Sequence, residues 1–258
     1  MTARRFNFRS SSYDFTPKAW VIFLHGAKLY HDKNSTYAII NEMNYSKLVA
    51  QTLLDIKAVG FNTEQLIRFK SGILSPVYVD NRTLPFHVKN WQLIINGFEQ
   101  LISDKNIQFD VIAGIESAGI PHSAALGFAL EKPSVFARKQ VKDHGTKKAI
   151  EGGDVANKRV LLIEDLVTTG GSSLTGVEHL RQEKAIVTDC LVIVSYGFKE
   201  SELAFEEAHV KLHALTTFED ILAVSLERRL INEQQLQTIK QWLTDPHAWT
   251  KEHEEIKK

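Results

Sequence analysis

The second half of this chain switches repeatedly between two periods, and that alternation restricts the fold more than any other feature. Short apolar runs at Val111–Ile115, Ser134–Ala137, Arg159–Ile163, 186–194 and 210–215 read as strands. Between them, about 119–131, 171–183 and 200–208 carry apolar residues at helical spacing. A strand that is apolar at every position suits burial on both faces, and strand–helix alternation places crossover helices over both faces of a parallel sheet. The expected fold class is therefore α/β, with a mostly parallel central sheet flanked by helices. Ligands of such sheets bind beyond the carboxyl ends of the strands. The loops after Ile115, Ala137 and Ile163 are where chemistry is expected.

Upstream, Val49, Leu53 and Ile56 predict a helix over 44–59, with Gly60 as its stop. Apolar runs at Phe61–Phe69 and Pro76–Asp80 flank Ser71-Gly72-Ile73-Leu74-Ser75, a pattern that predicts a hairpin. A second helix is expected over 87–103, a long polar loop over 138–153 and a helical tail over about 218–245. Residues 1–41 have no clear period and read as an extension. Arg4, Arg5 and Arg9 among Ser10, Ser11 and Ser12 have the flavour of a transit peptide, but a plain extension is the preferred reading. The domain is expected to run from 42 to 258, with its core at about 87–216 and C-terminal helices at about 217–258.

Charge and composition remove several classes. Lys plus Arg is 31 and Asp plus Glu is 31, so wholesale coating of nucleic acid is not expected. The uncharged run Ser117–Leu130 is too short to span hydrocarbon as a helix, so no membrane role is expected. The one cysteine, Cys190, lies in an apolar strand and forms no intramolecular disulfide, which fits a reducing, cytoplasmic setting. Trp242 and Trp249 in the tail read as packing residues.

The most informative stretch is Arg159-Val160-Leu161-Leu162-Ile163-Glu164-Asp165-Leu166-Val167-Thr168-Thr169-Gly170-Gly171-Ser172-Ser173. An apolar strand ends in two acids, then a small-residue turn, then a helix. Glycines let backbone N–H groups approach a ligand, hydroxyls add donors, and a helix start adds partial positive charge: together, a phosphate cradle. The acids would repel phosphate but suit sugar hydroxyls or a developing positive charge. A capped βα turn with incidental acids is the plain alternative, and the combination of features favours the site. The stretch is neither a Walker A loop nor a dinucleotide fingerprint, since it has no Gly-Lys-Ser/Thr and no Gly-x-Gly-x-x-Gly.

This stretch resembles the 5-phosphoribosyl-1-pyrophosphate (PRPP) motif of type I phosphoribosyltransferases. Three further segments follow the order of the orotate phosphoribosyltransferase family. Arg138-Lys139-Gln140-Val141-Lys142-Asp143-His144-Gly145 is similar to its catalytic loop, Phe69-Lys70-Ser71-Gly72 with Ser75-Pro76-Val77-Tyr78-Val79 to its base-binding hairpin, and Ala113–Pro121 to its pyrophosphate turn. The resemblance implies a small hood, about 42–86, formed by the N-terminal helix and hairpin. It implies PRPP binding by Ser117, Arg138, Lys139, Lys142, His144, Glu164, Asp165 and the run Leu166–Ser172. It places orotate against Lys70, Tyr78, Val79 and Thr168, with Lys70, Lys142 and Asp165 closest to catalysis. It further implies Mg2+ held mainly by PRPP rather than by protein ligands, and a homodimer that shares the catalytic loop between subunits.

The implied reaction makes orotidine 5'-monophosphate and pyrophosphate, a step of pyrimidine biosynthesis. This chain departs from the pattern at Ile193-Val194-Ser195-Tyr196-Gly197-Phe198-Lys199, where most relatives carry an orotate-binding Arg. A phosphoribosyltransferase for another nucleobase therefore stays open, with Tyr196 and Lys199 as candidate substitutes for the Arg. A non-catalytic PRPP-sensing regulator is a further alternative, weakened by the cations kept in the loop.

Overall fold

The structure, a computed structural model, describes residues 45–69, 71–139 and 149–255, together with two short strands before them. By contacts the chain divides into Met1–Met43 and Asn44–Lys258. In the first unit β1 (Ile22–Leu24) pairs antiparallel with β2 (Ala27–Leu29), a short hairpin inside the stretch read as an extension. The remainder of that stretch lies outside the described residues.

The second unit is built on a six-stranded sheet. Its strands are β7 (Val111–Ile115), β8 (Ser134–Ala137), β9 (Ile150–Glu151), β10 (Arg159–Val167), β11 (Ile186–Ser195) and β12 (Lys211–Thr217). Their order is β12-β11-β10-β7-β8-β9, parallel except where β9 returns antiparallel onto β8. The chain runs outward from β7 on one side and from β10 on the other, so the topological switch lies between β7 and β10. The crevice beyond their carboxyl ends is the site expected from topology alone.

Both faces of the sheet are buried, and the side chains of β10 divide between them with period two. Leu161 and Ile163 join one core, with Phe98, Phe218 and Trp242. Val160 and Leu162 join the other, with Ile115, Val177 and Leu180. The first face is covered by α1 (Tyr45–Asp55), α2 (Val88–Asp104), α3 (Gly119–Ala129) and three C-terminal helices. The second is covered partly by the helix that follows β10 and by α5 (Lys199–Glu207), which carries Phe205. Among the described residues no helix is long and apolar enough to cross a membrane.

The sequence reading departs from the structure at several places in this unit. The first helix ends at Asp55, not at 59: Lys57 adopts a left-handed φ of 56°, Ala58 N–H donates to Leu53 O at 2.9 Å, and Gly60 is drawn into β3 (Val59–Phe61). The run Phe61–Phe69 is not one strand. It supplies β3 and β4 (Ile67–Arg68), which pair with β6 (Val77–Val79) and β5 (Leu74–Ser75) in two nested ladders. A 3-10 helix at Asn81–Phe86, capped by Asp80, follows and has no periodic signal. The loop at 138–153 contains β9, because Ile150 and Glu151 find open ladder positions on β8. The tail is three helices, α6 (Phe218–Glu227), α7 (Glu233–Thr244) and α8 (Pro246–Glu255). A capping box of Asn232 and Gln235 restarts the chain as α7, and Pro246 starts α8.

Candidate active site

The acids stand inside β10, not beyond it. The neighbouring β11 is long enough to pair Leu166 with Val194 and Val167 with Ser195, so the ladder carries Glu164 and Asp165 to the end of the sheet. Glu164 is buried, and its carboxylate accepts from Ser173 Oγ at 3.5 Å and from the Asp165 N–H at 3.3 Å. Burial pushes its carboxyl well above the usual carboxylate range, and the neighbouring Asp165 charge adds to this. Asp165 is half-buried, and burial raises its carboxyl too; the Lys139 ammonium opposes the rise at both. Asn81 Nδ2 donates to the Asp165 carbonyl at 2.7 Å and fixes the backbone between the acids and the 3-10 helix.

Thr168 and Thr169 form the turn, and Gly170 closes it with φ +84°. A Cβ at Gly170 would sit 3.0 Å from Phe205 Cε2, so both the backbone angle and the space require glycine. The helix α4 (Gly171–Gln182) then starts with Leu174 N–H donating to Gly170 O. The N–H groups of Gly171, Ser172 and Ser173 therefore have no helical partner, and no acid stands in the first turn. A phosphate group completes such an end.

A cleft of about 380 Å3 opens in front of this turn. On one side are the acids, the turn and the start of α4; on the other are Ile67, Phe69, Ser71, Tyr78 and Val79 of the hairpin region. Lys139 reaches its rim and Tyr196 closes its inner wall. Arg82 Nη2 donates to the Tyr78 hydroxyl at 2.7 Å, and Arg82 Nε donates to Asp80 Oδ1 at 2.6 Å, which braces the Tyr78 side.

A family model for the phosphoribosyl transferase domain matches residues 87–222, more than half of the chain. An orotate phosphoribosyltransferase of Coxiella burnetii is 37% identical over 207 residues, which cover 80% of this chain and 99% of that relative. The chain belongs to the orotate phosphoribosyltransferase family. Two solved structures share its fold. Leishmania donovani UMP synthase has a TM-score of 0.66 at 24% identity, covering 82% of this chain and 45% of that one. A Mycobacterium tuberculosis orotate phosphoribosyltransferase in complex with PRPP has a TM-score of 0.53 at 22% identity, covering 69% of this chain and 98% of that one.

Of the residues singled out from sequence, the cleft brings together Glu164, Asp165, Leu166, Val167, Thr168, Thr169, Gly170, Gly171 and Ser172 with Tyr78, Val79 and Lys139. Two others do not line it. Ser117 is exposed in the turn after β7, where its peptide bond with Glu116 is cis. Arg138 is tied between Glu151, to which its Nε donates at 2.5 Å, and Glu116, 3.6 Å away. Lys70, Lys142 and His144 lie outside the described residues. Cleft residues absent from that selection are Ile67, Arg68, Ser71, Phe69 and Ser173. Asn81, which anchors the cleft floor, was also missed: it belongs to no pattern, and only the fold brings it to Asp165.

Proposed function

We infer that the protein is an orotate phosphoribosyltransferase, a glycosyltransferase that moves the 5-phosphoribosyl group of PRPP to orotate and releases pyrophosphate. One observation carries the reading: two acids, a phosphate-binding turn and an apolar hairpin wall face one another across a single cleft, in a chain of this family.

The 5-phosphate of PRPP sits on the turn Thr168–Ser172 and the start of α4. Glu164 and Asp165 hold the ribose hydroxyls. The C1–O bond to pyrophosphate breaks ahead of attack, so positive charge builds on the ribose ring, and the two carboxylates stabilise it. Lys139, with Lys142 and His144 of the same loop, draws off the negative charge of the departing pyrophosphate. Orotate enters against Tyr78 and Val79, with Lys70 as its anionic anchor. Loop closure keeps water from the ribose cation.

Mg2+ is the proposed cofactor. Among the described residues no group of three His, Cys, Asp or Glu stands close enough to cage a metal. Glu164 and Asp165 are two hard oxygen donors in the cleft, a set that suits a cation bound chiefly through phosphate oxygens and water. Bound there, Mg2+ would neutralise pyrophosphate charge. The proposal extends to a cytoplasmic homodimer in which the 138–149 loop reaches the neighbouring cleft; light scattering and mixing of two inactive variants test that assembly.

The first experiment mixes purified protein, PRPP, Mg2+ and orotate and follows the loss of orotate absorbance. PRPP- and Mg2+-dependent loss is expected. No loss, in protein that still binds PRPP, would leave the cradle standing and overturn the choice of base.

A further inference from the structure

Tyr196 holds a buried hydroxyl without a partner among the described residues. Such a group is costly in the free protein, and natural cores contain few of them. Its place is not accidental. Tyr196 is the first residue after β11, its N–H donates to Val167 O at 3.0 Å, and it lines the cleft alongside Tyr78 and Val79.

The ring cannot swing to find another partner. It stacks on Phe218 with centroids 4.6 Å apart and planes 10° apart, and meets Trp242 edge-on at 5.6 Å. Phe69, itself in the cleft wall, closes a third side at 6.1 Å. The oxygen is thus held at one point, and only its hydrogen is free to rotate. Burial raises the hydroxyl well above its ordinary range, so it remains a neutral donor at any physiological pH.

We propose that the Tyr196 hydroxyl is a base-recognition donor that completes its hydrogen bond on a carbonyl oxygen of the bound pyrimidine. The inference rests on the orotate reading. A site with a fixed buried donor disfavours bases that present no acceptor there.

Tyr196→Phe tests it, since the ring, the stack and the volume persist and only the oxygen goes. The KM for orotate is expected to rise about tenfold or more, with the KM for PRPP within about twofold. Thermal stability of the ligand-free variant is expected to be unchanged or higher, because an unsatisfied buried group has been removed. A purely structural hydroxyl would move stability and not this ratio of KM values. If wild-type protein turns over orotate and the variant keeps its KM, the inference alone is overturned. If wild-type protein turns over no orotate, both the inference and the function fall.

Discussion

The two walls of the cleft are built in opposite ways. The phosphate wall is drawn from one continuous stretch, the end of β10, the turn and the start of α4, with β11 and Asn81 bracing its strand end. The hairpin wall depends on residues far away in the chain. Trp242 Nε1 donates to Leu74 O at 2.8 Å, Thr250 Oγ1 accepts from Leu74 N–H at 3.0 Å, and Arg68 pairs with Glu254 at 2.6 Å. The C-terminal helices thus bond directly to the base side. Local construction gives a rigid anchor for a constant group; remote construction lets the base side be adjusted without disturbing it.

If that division holds, damage to the turn should fall on PRPP. Gly170→Val is the strongest case. It forces a β-branched residue to φ +84° and drives it against Phe205. The strain costs about 1–3 kcal/mol, and the turn relieves it by moving its N–H groups off the phosphate. Turnover at fixed PRPP should drop about a hundredfold, or about 2.7 kcal/mol of lost transition-state binding. Initial rates at varied PRPP would show it, and a PRPP KM within twofold of wild type would break the comparison.

Glu164→Gln separates binding from stability on the same wall. In the folded protein the Glu164 carboxyl holds its proton well above the usual range, whereas in the unfolded chain it titrates normally. The folded state therefore binds more protons as pH rises from about 4 towards the folded value, and stability is lost across that window. Gln removes the loss. The variant should melt higher than wild type at pH 7, by about 2–4 °C for each kcal/mol regained, and the gap should close near pH 4. Apparent PRPP affinity should fall about tenfold, the worth of about one hydrogen bond. A variant that melts lower at pH 7 would show that Glu164 is a structural acid.

How far each wall was legible follows from the same contrast. The run Ile163–Ser173 could be read directly because the strand, the acids, the turn residues and the helix start are contiguous. Even so, the length of β10 was not visible, since it is set by the register of β11. The hairpin turn at Ser71–Gly72 was legible, but its division into two ladders was not, because the pairing is decided across the gap between Phe61 and Ile67. Nothing near Leu74 announces Trp242 or Thr250, and nothing near Asp165 announces Asn81. Tyr196 could be named from sequence as a candidate, but only packing shows that its hydroxyl is stranded.

Trp242→Phe probes the remote support. The ring environment of Phe69, Phe198 and Tyr196 tolerates a smaller aromatic, but the Leu74 carbonyl loses its buried donor. The cost should be about 1–3 kcal/mol. The KM for orotate should rise severalfold, about three to five times if roughly 1 kcal/mol of positioning is lost, and the KM for PRPP should stay within about twofold. Equal changes in both would mean that the walls are mechanically coupled.

Arg68→Ala is the mildest test and the most selective. The Arg68–Glu254 pair is exposed on both sides, and an ion pair in that setting contributes about 0–1 kcal/mol. Arg68 Nη1 also donates to Gly72 O at 2.8 Å, so the same side chain ties the hairpin tip to α8. The melting temperature should fall by less than about 3 °C, and the KM for orotate should change by less than about threefold. Half of that small effect should vanish in 1 M salt, where the screening length is about 3 Å; the Gly72 contact, internal to the hairpin, should persist. Glu254→Ala would then reproduce only the salt-sensitive part. A larger, salt-sensitive change in orotate KM would show that the hairpin wall is poised on this one contact, and that the base side is adjustable from the C-terminal helix.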